Sequence, residues 1–336
     1  MTKAGVFSLP AGLARSLIRG DAIQRFMAFG ALMVLIVFFS WASPYFFNFD
    51  NMNGILVATS VTGVLAIGET FVIISGGIDL SIGTVMSLSA VMTGVAVTKM
   101  GLPLPVGIVI GILTGGFMGL VNGTLIARLK LPPFIATLGT LSVARGLALV
   151  ISGAIPIYFP NAPEFNSVVM GSTLGNVLPW FAVPNIAIVL FGVAILAAFI
   201  LSKSVLGRYT YAIGSNEEAV RLSGVSVDKW KMAVYIQCGL FAGLGGVLLA
   251  ARVNSAQPAL GYGYELDAIT AVIIGGASLS GGVGTILGTI IGAFIVKTLT
   301  NGLQIMSVAN EWQIVITGVV VILAVYLDIL RRRHRA

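Results

Sequence analysis

Apolar stretches about as long as a bilayer is thick recur along the whole chain, and they constrain its fold more than any other feature. A helix needs about 20 mainly apolar residues to cross the hydrocarbon core of a membrane. Ten charge-poor stretches of roughly this length lie between polar, glycine or proline residues. They are residues 26–47, 52–74, 81–98, 104–127, 132–152, 182–202, 232–251, 265–280, 284–304 and 311–328. We therefore predict an all-α, polytopic membrane protein with about ten transmembrane helices.

The composition supports the membrane assignment and argues against catalysis. Of the 336 residues, 57% are hydrophobic and only 9% are charged, whereas soluble domains carry about 25% charged residues. A single cysteine, Cys238, excludes an intrachain disulfide framework and a multi-thiolate metal cluster. The only histidine, His334, lies in a basic tail. Because no nucleophile, base and metal ligand occur together, we predict neither a catalytic nor a metal site.

The basic residues predict how the chain is oriented. Ten spans place both termini on one side of the membrane, and that side receives 15 of the 19 Lys and Arg residues. Positive residues mark the cytoplasmic side, so both termini are predicted to be cytoplasmic, and the net charge of +7 reflects orientation rather than nucleic-acid binding. The predicted organisation is a cytoplasmic segment 1–25, a membrane domain 26–328 with a cytoplasmic loop 203–231, and a basic cytoplasmic tail 329–336.

The N-terminal segment and a long loop without Lys or Arg need separate interpretation. Residues 1–25 contain apolar residues among arginines, which fits either a helix lying on the membrane or a disordered tail. Residues 153–181 contain several prolines and no Lys or Arg, so they are predicted to form the main outer loop.

An internal repeat links the two halves of the membrane domain. The sequence VIISGGIDLS at residues 72–81 is echoed by VIIGGASLS at residues 272–280. Gly-interrupted apolar segments at matching places in two halves point to the transport route of a transporter. Tight turns with a structural role only are the alternative, and we keep both interpretations. The candidate path residues are Gly76, Gly77, Asp79, Ser81, Asn254, Gln257, Gly275, Gly276 and Ser278.

Glycines spaced four residues apart follow both copies of the repeat. Small residues at this spacing let two membrane helices approach closely. We therefore expect tight helix packing at these glycines. They are Gly111, Gly115 and Gly119 in the first half, and Gly284, Gly288 and Gly292 in the second.

Six ionisable residues lie within or beside the predicted spans. A charge at the centre of a membrane helix costs about 2.5–3.5 kcal/mol, so such residues usually face the bundle interior. They form either a hydrated route with exchanging ion pairs or boundary positions whose long side chains reach the headgroups. The boundary interpretation is the expectation for Arg145, Glu265 and Lys297. The full set is Glu69, Asp79, Arg145, Glu265, Asp267 and Lys297.

The cytoplasmic loop 203–231 carries signals for a short helix. Ser215 and Glu218 fit a capping box, in which Ser215 caps the helix and Glu218 reaches back. Gly224 is a natural stop. We predict a docking surface for a partner protein, with a helix lying on its own bundle as the alternative. The chain contains no G-x-x-x-x-G-K-[ST] phosphate loop, so a partner must hydrolyse any nucleotide that drives transport.

These motifs together resemble one family. Residues 76–83 read GGIDLSIG and residues 275–284 read GGASLSGGVG. With residues 207–216, 218–224 and 255–267, they resemble the ribose-type permeases of bacterial ABC sugar importers, in order and at matching spacing from about residue 45 to 328. The resemblance implies a transport subunit, not itself an enzyme, that carries a pentose- or hexose-like monosaccharide across the inner membrane. An ATP-independent secondary carrier or channel for small polar solutes is the alternative function.

The resemblance also implies partners. They are a second permease copy (a homodimer or a closely related heterodimer), a cytoplasmic ATP-binding subunit and a periplasmic sugar-binding protein, assembled in the lipid bilayer. No cofactor is expected on this chain, because ATP and Mg²⁺ belong to the partner ATPase. The element that couples to the ATPase is implied to comprise Ser215, Asn216, Glu217, Glu218, Ala219, Arg221 and Gly224.

Overall fold

A computed structural model describes residues 11–160, 162–177 and 182–333, with side chains from residue 26 to 326 within these ranges. Residues 1–10 and 334–336, which hold parts of the predicted terminal segments, lie outside this description. The helices are α1 (Ala11–Ala42), α2 (Phe49–Ile74), α3 (Ile82–Gly94), α4 (Leu104–Gly123), α5 (Pro133–Ser152), α6 (Glu164–Met170), α7 (Thr173–Val177), α8 (Asn185–Lys203), α9 (Val205–Ser215), α10 (Glu217–Leu222), α11 (Val227–Val253), α12 (Tyr264–Ile274), α13 (Ile286–Ile305) and α14 (Asn310–Arg333).

The predicted all-α membrane fold is confirmed. Within the described ranges, seven helices are long and apolar enough to cross a membrane: α2, α3, α4, α5, α8, α11 and α13, with π-helical turns extending α3 to Lys99 and α4 to Arg128. Shorter apolar stretches lie in α1 (Phe26–Ala42) and α14 (Asn310–Tyr326). With α12, these elements account for the ten predicted segments. α1 runs unbroken across the predicted boundary at residue 25.

The close helix packing predicted from the spaced glycines is confirmed in both halves. α4 packs against α11 through glycine on both sides: a Cβ atom on Gly239 would lie 2.9 Å from the Cα atom of Gly119. In the second half, Gly288 of α13 lies against Gly275, at the end of α12. These contacts surround α2, whose side chains are buried along most of its length.

The predicted span 265–280 is wrong as a complete helix. α12 has 11 residues, so it measures about 16 Å at 1.5 Å per residue, roughly half of the 30 Å hydrocarbon core. The helix ends at Ile274, before Gly275 and Gly276, although the sequence stays uncharged beyond them. The lack of charged residues therefore overestimated the length of this helix.

A non-helical stretch, residues 254–263, leads into this half-helix. It begins with β2 (Ser255–Ala256), which pairs antiparallel with β1 (Ile157–Tyr158). It then follows α3 towards the start of that helix. The Gly261 N–H group donates to Ser87 Oγ at 2.7 Å, and Gly83 packs against Gly261 and Glu265. The stretch thus runs within the bundle, and α12 begins part-way across it.

Candidate functional site

Both copies of the sequence repeat end their helix in the same way. After α2, the Gly77 N–H group donates to the Val72 carbonyl at 2.9 Å; after α12, the Ala277 N–H group donates to the Val272 carbonyl at 3.0 Å. Gly76 and Gly276 adopt left-handed φ angles of 82° and 100°. This is the Schellman helix end, which glycine favours because it has no Cβ atom. The sequence repeat is therefore also a repeat of backbone geometry.

The end of α2 meets the linker between α12 and α13 at a junction formed by Ile74, Gly214 and Gly282, which we call the break junction. The Gly282 N–H group donates to the carbonyl of Ile74, the last residue of α2, at 2.8 Å. Gly214, near the end of α9, lies so close that a Cβ atom there would overlap the Ile74 carbonyl and lie 2.6 Å from the Gly282 nitrogen. Tyr211 of α9 also donates its hydroxyl to the Gly284 carbonyl at 2.7 Å. Helix α9, which lies in the loop 203–231, thus contacts both the end of α2 and the linker between α12 and α13.

A buried network of polar side chains lies just after the end of α2, around Asp79. Asp79 Oδ1 accepts hydrogen bonds from the Ser81 N–H group (2.9 Å) and hydroxyl (2.6 Å). Asn122 of α4 donates to Asp79 Oδ2 at 3.2 Å and to Ser81 Oγ at 2.9 Å. Thr140 of α5 donates to Asn122 Oδ1 at 2.6 Å. Hydrogen bonds therefore fix the break to two neighbouring helices.

Glu69 continues this network into α2. Its Oε1 atom accepts the Asp79 N–H group at 3.0 Å, and the Cys238 thiol of α11 lies 3.9 Å from Oε2. None of the ion pairs among the described side chains includes Glu69 or Asp79. Within the described part of the chain, hydrogen bonds rather than ion pairs therefore hold these two carboxylates.

The candidate path residues do not share one environment. Gly77, Asp79, Ser81 and Gly275 are buried, Gly276, Ser278 and Gln257 are half-buried, and Gly76 and Asn254 are exposed. Asn122 and Thr140 were missed by the sequence analysis. The available signal was a pair of polar side chains inside otherwise apolar spans, which usually face the interior.

The network predicts a measurable loss of stability when Thr140 is changed to valine. This substitution leaves Asn122 Oδ1 without its donor in a buried site, which costs about 1–3 kcal/mol. We expect a lower thermal unfolding midpoint of the purified protein in detergent. The matched control is Thr114→Val, because the Thr114 hydroxyl bonds only the Ile110 carbonyl of its own helix. Equal midpoints for the two variants would contradict a stabilising role of the network.

The short loop helix α10, which we call the docking helix, begins one residue later than predicted. Asn216, not Ser215, is its N-cap: Asn216 Oδ1 accepts the Ala219 N–H group at 2.9 Å. Ser215 is still the last residue of α9, whereas Asn216 has the extended backbone that a cap requires. The capping box centred on Ser215 is therefore wrong. The stop at Gly224 is confirmed by its φ of 81°.

The docking helix is tied to α11 at one point and exposed elsewhere. Glu217 pairs with Arg221 at 2.8 Å and with Lys231 of α11 at 2.5 Å. Leu222 has an exposed fraction of 83%, and Glu218 and Ala219 are also exposed. A short helix that presents a large apolar side chain at the end of the bundle offers a surface for protein contact.

The sequence matches a known family of membrane transport proteins. Residues 51–325 match the family model described as "Branched-chain amino acid transport system / permease component". The chain belongs to this permease family. It is 41% identical to the ribose import permease protein RbsC of Escherichia coli (strain K12) over 306 residues, which cover 89% of this chain and 91% of that protein.

Two further relatives extend the comparison. The RbsC protein of Bacillus subtilis (strain 168) is 41% identical over 308 residues, covering 91% of this chain and 93% of the relative. The xylose transport system permease protein XylH of Escherichia coli (strain K12) is 31% identical over 366 residues, covering 93% of each chain. No solved structure matches the chain significantly. The protein is thus a multi-pass transport permease of the kind that the sequence motifs indicated.

Proposed function

We propose that this protein is the membrane-spanning subunit of an ATP-driven importer that carries a pentose- or hexose-like monosaccharide across the bacterial inner membrane. Similarity to ribose and xylose permeases over about nine-tenths of the chain supports the substrate class. The proposed partners are a second permease copy, a periplasmic sugar-binding protein and a cytoplasmic ATPase that binds ATP and Mg²⁺. Both termini then lie in the cytoplasm.

The observation that carries this proposal is the path from the docking helix to the break junction. The N-cap of the docking helix, Asn216, follows directly on the last residue of α9. Gly214 of α9 touches the carbonyl of Ile74 and lies beside Gly282. Because packed backbones of this kind cannot interpenetrate, we expect displacement of the docking helix by an ATPase to move the end of α2 and the linker after α12. ATP binding and sugar passage are thereby mechanically linked.

Reconstitution tests the proposal. Purified protein in proteoliposomes, with and without its ATPase and sugar-binding protein, is assayed for uptake of labelled D-ribose. We expect uptake only when the companions and ATP are present. Uphill uptake by the protein alone would overturn the proposal in favour of a secondary carrier, an alternative that the buried carboxylates of Glu69 and Asp79 favour. Collapse of that uptake by a proton or sodium ionophore would then identify the driving ion.

The docking helix provides a second prediction. Replacing Glu218 with lysine reverses an exposed charge in the first turn, and Gly224→Val places a side chain in a left-handed backbone that disfavours it. We expect each variant to insert normally but to lower uptake per ATP hydrolysed about tenfold, a coupling loss of about 1.4 kcal/mol. Lys229→Glu, at an exposed site in α11, is the control. Wild-type coupling in both test variants would argue against docking through this helix.

A further inference from the structure

One face of the bundle carries the non-helical residues 257–263, and it therefore differs from the helical surface that faces lipid. Residues 257–263 form turns rather than a helix, and the Gly261 N–H group bonds Ser87, the sixth residue of α3. Irregular backbone at membrane depth is tolerated only where it is buried in protein or lines a water-filled cavity. Tyr262, on this stretch, nevertheless has an exposed fraction of 62%. The face that carries Tyr262 therefore meets water or protein rather than lipid.

Arg145 leads to the same conclusion from a different helix. It is the thirteenth of the 20 residues of α5 and is exposed. Its guanidinium carbon lies 4.9 Å from the centre of the Tyr262 ring, and none of the ion pairs among the described side chains includes it. Arg145 thus lies well inside α5 rather than at its end, and its expected reach to the headgroups stays a prediction. A charge at this depth in lipid is costly, so a polar environment must face it.

An ion pair lies beside these residues at the start of the half-helix. Lys297 Nζ lies 2.6 Å from Asp267 Oδ2 and 5.1 Å from the centre of the Tyr264 ring. The two side chains have exposed fractions of 12% and 22%. Lys297 is the twelfth of the 20 residues of α13, so it too lies well inside its helix rather than at its end. Tyr264, whose ring lies beside Lys297, is separated from Tyr262 by one residue, so the pair lies next to the stretch that carries Tyr262.

We propose that Arg145, Tyr262, Tyr264, Asp267 and Lys297 form a contact site for a neutral monosaccharide about halfway across the membrane. The choice of ligand rests on the proposed function. A sugar presents hydroxyl groups around an apolar C–H face. Tyrosine rings offer an apolar surface with a polar edge, Asp267 accepts hydrogen bonds, and Arg145 and Lys297 donate them. A small-molecule site typically combines aromatic surface with a small number of polar groups.

Cysteine labelling tests whether water reaches the face that carries Tyr262. Tyr262→Cys and Arg145→Cys are compared with Ile195→Cys, which lies at the eleventh of 19 residues of α8 and is 72% exposed. The native Cys238 is fully buried and is kept. A water-soluble thiosulfonate reacts with thiolate, which forms in water and not in lipid. We expect both test sites to react at least about tenfold faster than residue 195. Equal rates at Tyr262→Cys and Ile195→Cys would overturn the proposal.

Uptake by the complete transport complex tests sugar contact. We expect Tyr262→Ala to lower the maximal rate of ATP-driven D-ribose uptake about tenfold, and Tyr262→Phe to restore most of it because the ring surface remains. Ile195→Ala is the control. Full uptake by Tyr262→Ala would overturn the site while leaving the importer assignment intact. ATP-independent uptake by the wild type would overturn the importer assignment, whereas labelling of residue 262 would still support a wet site.

Discussion

Replacing Gly214 with valine is expected to lower ATP-driven uptake by at least tenfold while the ATPase still binds. A Cβ atom at this position would overlap the Ile74 carbonyl and crowd the Gly282 nitrogen. Backbone cannot be moved aside as a flexible side chain can, so the junction must open. Overpacking of this kind costs about 1–3 kcal/mol, which shifts an equilibrium between two conformations by roughly one to two powers of ten.

The measurement is uptake per complex, with ATPase binding determined by co-purification. Gly192→Val is the matched control, because it introduces the same side chain into the spanning helix α8 where a Cβ atom meets open space. If Gly214→Val transports at the rate of Gly192→Val, α9 does not act through the break junction.

Replacing Leu222 with aspartate is expected to abolish stable binding of the ATPase. Leu222 is the most exposed large apolar residue of the docking helix, with 83% of its surface accessible. Burial of a leucine side chain in a partner contributes about 1.5–3 kcal/mol to binding. An aspartate would instead bring a carboxylate into the interface, where desolvation without a partner adds a further cost. Together these effects weaken binding by more than about thirtyfold.

The dissociation constant for purified ATPase, measured on protein in nanodiscs, checks this result. Leu129→Asp is the control, since Leu129 is 63% exposed in the turn after α4, close to Lys130, which pairs with Asp228 in the first turn of α11. An unchanged constant for Leu222→Asp, or an equal loss for Leu129→Asp, would contradict docking through Leu222.

Local motifs allowed parts of this structure to be predicted from sequence. The end of the predicted span at residue 74, just before Gly76, follows from glycine's freedom to adopt positive φ, and this property is visible in a single sequence. The same holds for the stop at Gly224 and for the close packing at the spaced glycines of α4, although α11 was not predicted as their partner. Each of these features depends on residues a few positions apart, so the spacing of the residues along the chain predicts the local backbone geometry.

Other features depended on contacts between distant residues. The length of α12 could not be obtained from the lack of charge, because uncharged residues continue beyond Ile274. The depth of Lys297 became clear only when α13 was seen to place it against Asp267. The cap at Asn216 was missed because Ser215 is an equally good capping residue, and only the end of α9 decides between them.

The half-helix also has a consequence for how the chain is made. Residues 254–274 lack the continuous helix that a segment needs to partition into lipid by itself. Their main-chain groups are satisfied by partners such as Ser87, synthesised far earlier, while Asp267 awaits Lys297, synthesised later. A growing polypeptide that has emerged only as far as α12 must therefore hold this stretch outside the hydrocarbon. Biogenesis of this region is completed only after α13 leaves the ribosome.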